Sequence, residues 1–83
     1  MELTQIRYFL SVAKHRNFTR AAEELYTSQP TISKQIALLE KELGVQLFTR
    51  DKQGAHMTYV GQQLYPSFEK ALELIDTAVQ QAT

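Results

Sequence analysis

Within the 83-residue chain, Ser28–Leu43 (SQPTISKQIALLEKEL) leaves the fold least freedom. Ser28 is a good helix N-cap, because its hydroxyl can accept from a free backbone N–H of the first turn. Pro30 falls inside that turn, where a missing N–H costs little. Ile32, Ile36, Leu39 and Leu43 recur at spacings of four, three and four, which places them on one helical face. Gly44 follows at once and suits the left-handed residue after a helix C-terminus. The opposite face of the first turns carries Gln29, Thr31, Ser33, Lys34 and Ala37, and no acid. A helix that begins with short, hydrogen-bonding or cationic side chains suits entry into the DNA major groove. The plainer reading is an ordinary amphipathic surface helix, so the neighbouring segments decide.

Before this helix, Leu3, Ile6, Phe9, Leu10 and Ala13 form a helical stripe, with Thr4 as the candidate cap. Arg7, Lys14 and Arg16 fall off the stripe and are expected in solvent. His15, Arg16 and Asn17 read as the helix end, since Asn tolerates turn conformations. Thr19 can cap a short second helix, Arg20 to Leu25, in which Ala21 and Ala22 let another helix approach closely. Tyr26-Thr27 then leads tightly into Ser28. A short, alanine-bearing helix joined by about three residues to a longer one is the pattern of a helix-turn-helix. Its turn lacks the usual glycine, and a generic helical hairpin is the alternative.

After Gly44 the periodicity changes. Val45, Leu47 and Phe48 run strand-like into Thr49-Arg50, and Asp51-Lys52-Gln53-Gly54 is turn chemistry. Ala55-His56-Met57 can return as the second strand, which leaves Arg50 and Lys52 at the tip of a small ribbon. Such a hairpin is marginal alone and must lean on the helices through Leu47, Phe48 and Met57. Thr58 caps a last helix from Tyr59 almost to the end. Along it Gly61, Tyr65, Phe68, Leu72, Ile75 and Val79 form an a/d seam, which calls for a partner helix. Pro66 lies beyond its first turn and is expected to kink or loosen it. The start of this seam is expected to pack on its own domain. The remainder, Phe68, Leu72, Ile75 and Val79, is expected to meet a second subunit.

Composition narrows the function. Without cysteine there is neither a disulfide framework nor a thiolate metal site, which fits a reducing cytosol. No apolar run approaches a membrane span, and the start MELTQIRYFL lacks the basic region of a signal peptide. Net charge is zero, but residues 1–58 carry eight Lys/Arg to six Asp/Glu, and residues 59–83 one to three. That asymmetry mildly favours an anionic partner for the first part. Catalysis finds no footing. His15 and His56 lie in different elements, there is no glycine-rich phosphate loop, and Glu23, Glu24, Glu40 and Glu42 fall on faces expected to be solvated. No catalytic residue, metal ligand or cofactor is assigned.

The run FTRAAEELYTSQPTISKQIALLEKELGVQLFTR, residues 18 to 50, closely resembles the DNA-binding domain of LysR-type transcriptional regulators. The combination AA-x-x-L, SQP-x-[IV]-S-x-QI, LE-x-x-LG and LF-x-R is specific at these spacings. The likeness extends back over LTQIRYFLSVAKHRN and forward through MTYVG into the long helix. It implies a mainly α fold, a winged helix-turn-helix of three helices plus a two-stranded wing over residues 1–58, with the helix-turn-helix near 18–37. A dimerising linker helix would follow over 59–83. By position it implies base-reading by Gln29, Pro30, Thr31, Ser33 and Lys34. Backbone or wing contacts fall to Thr19, Arg20, Ser28, Arg50 and Lys52. Three departures stand out: Lys34 replaces a frequent arginine and lacks the guanidinium fork, MTYVG replaces LT-x-AG, and DKQG lacks a second wing arginine.

The function so implied is sequence-specific binding of double-stranded operator or promoter DNA by a homodimer on an inverted repeat. The setting would be the bacterial cytoplasm, at the nucleoid, with no membrane partner. A small-molecule inducer would act only through a C-terminal domain beyond this chain. A winged helix that serves only protein interaction is the competing class, and salt-dependent DNA affinity separates the two.

Overall fold

The computed structural model describes all of residues 1–83. In chain order the elements are α1 (Leu3–His15), α2 (Phe18–Glu24), α3 (Gln29–Leu43), β1 (Phe48–Asp51), β2 (Gly54–Met57) and α4 (Tyr59–Ala82). The mainly α winged helix-turn-helix with a long last helix is therefore as expected.

Helix α3 begins and ends on the residues that local chemistry selects. Ser28 Oγ accepts from the Thr31 N–H at 3.3 Å, and Gly44 takes the left-handed conformation at φ 72°. Two other helix starts differ from expectation. Thr4 lies inside α1, because Glu2 is the N-cap and forms a reciprocal capping box with Gln5. Thr19 lies inside α2, because Asn17 Oδ1 accepts from the Arg20 N–H at 2.9 Å. Starting α2 one residue after Asn17 puts Phe18 on its inner face, 8% exposed. The gain from covering a phenyl ring explains why the earlier of two possible caps is used.

The core lies where α1, α2 and α3 meet the wing. Phe9, Val12, Ala21, Ile32, Leu39 and Leu47 are fully buried. Phe9 stands at the centre of an aromatic cluster, with ring centroids 5.5 Å from Phe48 and 5.7 Å from Phe68. Tilted and edge-on ring pairs of this kind add to simple area burial.

The wing is a two-stranded antiparallel hairpin paired from Phe48↔Met57 to Asp51↔Gly54. Its first strand starts at Phe48, later than Val45, because the approach is held by a side chain instead. Glu40 of α3 accepts from the N–H groups of Leu47 at 2.7 Å and Phe48 at 3.3 Å. The second strand is tied to the end of α1, where the Ala55 N–H donates to the Arg16 carbonyl at 3.0 Å.

Helix α4 starts at its Thr58 cap and continues through Pro66. Its first half packs on the body of the domain. Gly61 sits against the Leu47 carbonyl so closely that an added Cβ would lie 2.6 Å from that oxygen. Phe68 and Leu72 are not free for a second subunit, contrary to the seam reading. Phe68 is half-buried against Phe9, and Leu72 is 9% exposed. Helix α1 fills that role because its own stripe needs a cover. Only Ile75 and Val79 of the seam, 38% and 57% exposed, remain open.

Candidate nucleic-acid interface

The exposed start of α3 is built by its cap. Ser28 and Thr31 are linked hydroxyl to hydroxyl at 2.8 Å across the first turn, and Pro30 removes one donor that would otherwise need a partner. Pro30, Thr31 and Lys34 are exposed, and Gln29 and Ser33 are half-exposed on the same side. Lys34 forms no ion pair or hydrogen bond within the chain, so its charge is available to an outside partner. No acid lies on this face.

The turn leading into α3 is unusual. Tyr26 occupies the position where a glycine is common and has φ 55°, with its side chain 97% exposed. A left-handed non-glycine residue is strained, and here the tight α2–α3 junction imposes it. The Thr27 N–H reaches back to the Ala22 carbonyl at 3.0 Å and closes the junction.

Arg50 is not at the tip of a protruding ribbon. Its guanidinium carbon lies 3.4 Å from the centroid of the Phe18 ring, and its Nη2 donates to Ser33 Oγ at 2.6 Å. The cation is therefore drawn onto the seam between α2, α3 and the wing by a face-on cation–π contact and one charge-assisted hydrogen bond. Lys52 alone stands at the tip. Between the wing and the helix-turn-helix runs a groove of ≈ 300 Å³, bordered by Asn17, Thr19, Gln29, Arg50 and Asp51. Thr19 on its border is exposed, as are Arg20 in α2 and Ser28 at the cap of α3. Asp51 is the one acid there. Its carboxylate accepts from the Gln53 N–H at 2.8 Å and contacts His56 Nε2 at 3.1 Å. The backbone bond first, then His56, holds its pKa below the usual carboxylate value. The acid thus fastens the hairpin turn.

Three glutamates expected in solvent have structural partners. Glu24 receives Ser11 Oγ at 2.8 Å and Lys14 Nζ at 3.3 Å, and contacts His15 Nε2 at 2.9 Å, joining α2 to α1. Glu40 holds the wing, and Glu42 pairs with the N-terminal amine at 3.0 Å. Glu40 and Phe18 are the residues that sequence reasoning missed as supports of the interface. Glu40 carried no local signal, whereas the run Asn17-Phe18 could have revealed Phe18 as an anchor behind a cap.

A short helix joined at a tight turn to a longer one, the second led by an acid-free polar surface and flanked by a hairpin, defines a winged helix-turn-helix domain. A family model described as "Bacterial regulatory helix-turn-helix protein, lysR family" matches residues 3–62, and the chain belongs to that family. The HTH-type transcriptional regulator BudR of Klebsiella aerogenes is 46% identical over 82 residues, 99% of this chain and 57% of that protein. The Hca operon transcriptional activator HcaR of Escherichia coli (strain K12) is 53% identical over 62 residues, 75% of this chain and 21% of that protein. The chain thus spans little more than half of one relative and about a fifth of the other. Both are named for transcriptional regulation rather than catalysis. Among solved structures, the BenM_DBD/catB site 1 DNA complex is similar with a TM-score of 0.94 at 39% identity, covering 99% of this chain and 92% of that one. The CbnR_DBD-DNA complex gives a TM-score of 0.92 at 35% identity, with 99% and 94% covered.

Proposed function

We propose that this chain binds double-stranded DNA sequence-specifically as the winged helix-turn-helix part of a LysR-type transcription regulator. The observation that carries the reading is the first turn and a half of α3. It presents Gln29, Pro30, Thr31 and Lys34 outward with no acid among them, in a frame similar to domains solved in complex with DNA. Lysine and arginine neutralise phosphates without reading sequence, and base edges supply the discrimination. Gln29 can offer a donor and an acceptor to adenine, and Pro30 and Thr31 can touch a thymine methyl. Thr19, Arg20, Ser28, Arg50 and Lys52 surround this surface and are assigned to the sugar–phosphate backbone.

In this reading residues 1–58 form the DNA-binding unit and 59–83 the linker helix. Two copies paired through α4 present two recognition helices to an inverted repeat. Any small-molecule inducer acts through a further domain of the regulator, and the site of action is the bacterial cytoplasm. No helix is long and apolar enough to cross a membrane.

Selection of bound duplexes from a randomised DNA pool, followed by titration at several salt concentrations, tests the proposal. The expected result is an enriched symmetric motif whose affinity falls linearly in log–log form with salt, because bound cations release counterions. No enrichment, with salt-independent or absent binding, overturns it and favours a protein-interaction role.

A further inference from the structure

Ser33 Oγ receives two donors, one from its own helix and one from the wing. Gln29 Nε2, one helical turn earlier, donates to it at 2.5 Å, and Arg50 Nη2 from the wing donates at 2.6 Å. A hydroxyl has two acceptor lone pairs and one proton, so both acceptor positions of Ser33 are occupied. Its O–H remains, able only to donate. We infer that Ser33 is a positioning residue that fixes how Gln29 and Arg50 meet DNA, and thereby sets specificity through them.

The consequence for Gln29 is directional. An amide nitrogen carries two hydrogens, and Ser33 takes one of them. When that is the hydrogen trans to the amide oxygen, Oε1 and the cis hydrogen stay together on the outward edge. That pair matches the N6 donor and N7 acceptor of adenine in the major groove. A freely rotating glutamine would offer either end. Held by its trans hydrogen, Gln29 offers the adenine-reading edge before contact, so that the ordering cost is met in the free protein.

Arg50 gains a fixed place by the same bond. The Phe18 ring holds the guanidinium plane and Ser33 holds one nitrogen, which keeps the cation at the base of the wing beside α3. Its remaining donors are free for phosphate oxygens next to the base that Gln29 reads. One hydroxyl thus couples a base-reading residue on α3 to a cation on β1 seventeen positions away.

This inference rests on the DNA-binding function proposed above, and two measurements on the full chain separate the two. The first compares Ser33→Ala and Ser33→Thr with the parent on a selected duplex, on its single-base variants and on unrelated DNA. Loss of one good base pair contact is worth roughly 5- to 150-fold in discrimination. Ser33→Ala is expected to lose most of the discrimination at the base pair under Gln29, with a smaller loss on unrelated DNA from the released Arg50. Ser33→Thr, which keeps the hydroxyl, is expected to restore it. Parallel losses on all duplexes, or full discrimination in Ser33→Ala, overturn the positioning role. The second measurement needs no DNA: side-chain NMR of the Gln29 amide and Arg50 guanidinium in the free protein. Both sets of signals are expected to shift and exchange faster with solvent in Ser33→Ala and to return in Ser33→Thr. If they do not move, the clamp itself is wrong. If they move but the parent binds no duplex, the clamp stands, and the DNA function and the specificity role both fall.

Discussion

At the scale of single residues, the interface divides into side chains that wait for a partner and side chains already engaged. Lys34 belongs to the first group. Gln29 belongs to the second, its amide nitrogen held by Ser33. Replacing Gln29 or Lys34 by Ala should cost about 1–3 kcal/mol on the selected duplex and relax preference at particular bases. Equal losses on selected and unrelated DNA, measured by fluorescence anisotropy, would remove them from base-reading. Tyr26 supports a prediction of another kind. Its backbone is left-handed at φ 55° and its ring meets almost nothing, so Tyr26→Gly relieves strain and sacrifices no packing. A left-handed residue costs roughly 1–2 kcal/mol, and the extra freedom of glycine in the unfolded chain offsets part of that. Urea melts should therefore show a net gain of about 0.5–1 kcal/mol. The missing glycine was visible in the sequence. That the chain nonetheless forces a tyrosine into the glycine conformation was not, because only the closed α2–α3 junction imposes it.

At the scale of elements, local chemistry and tertiary contact made different things visible. Helix α3 could be delimited from Ser28 to Gly44 because its cap and its left-handed terminator act over a few residues. The start of α2 could not, because Asn17 and Thr19 are both competent caps and the burial of Phe18 decides between them. Arg50 lies away from the expected wing tip for the same reason. Its partner Phe18 is distant in sequence, and turn chemistry alone points a wing cation outward. The α1–α2 junction carries a prediction. The Glu24 carboxylate, held by His15, Ser11 and Lys14, has its pKa lowered from about 4.5 to about 2. A carboxylate with a depressed folded pKa contributes stability that is fully present above its unfolded value and is lost as pH falls through its folded value. The parent should therefore lose denaturation midpoint between a pH of about 4.5 and about 2 more steeply than Glu24→Gln. Superimposable pH profiles for the two proteins would show that the cluster contributes nothing. Gly61 tests the α4 junction in turn. A Cβ 2.6 Å from the Leu47 carbonyl must push α4 away from the segment that leads into β1, so Gly61→Ala should destabilise by roughly 1–3 kcal/mol in the same urea melts.

At the scale of the whole molecule, the chain is a compact body with one helix projecting from it, 43 × 25 × 19 Å along its principal axes. Helix α4 has 24 residues and therefore runs about 36 Å. Arg7 clamps it to α1 through Asp76, with nitrogen–oxygen distances of 2.8 and 3.3 Å. That bond, more than the attendant charge attraction, lowers the Asp76 pKa. The heptad seam was legible in the sequence, but a seam does not say which of its rungs the same chain will cover. The structure divides it near this clamp: Phe68 and Leu72 face inward, and Ile75 and Val79 stay open. The pairing surface is thus smaller than the full seam. Each large apolar side chain that it covers contributes about 1.5–3 kcal/mol, against an association cost of at least 4 kcal/mol or so. Dimers of this chain alone should accordingly be weak and concentration-dependent. Leu72→Asp is a poor probe, because it would charge the buried side of α4. Ile75→Asp with Val79→Asp is the discriminating variant, since both positions are exposed in the single chain. It should keep the helical signal and melting behaviour of the parent, sediment as a monomer at every concentration, and bind a single half-site normally. On an inverted repeat it should lose the affinity gained when one bound copy recruits the second. Monomeric sedimentation of the parent at high concentration, together with equal binding of parent and variant to the inverted repeat, would exclude α4 as the pairing element.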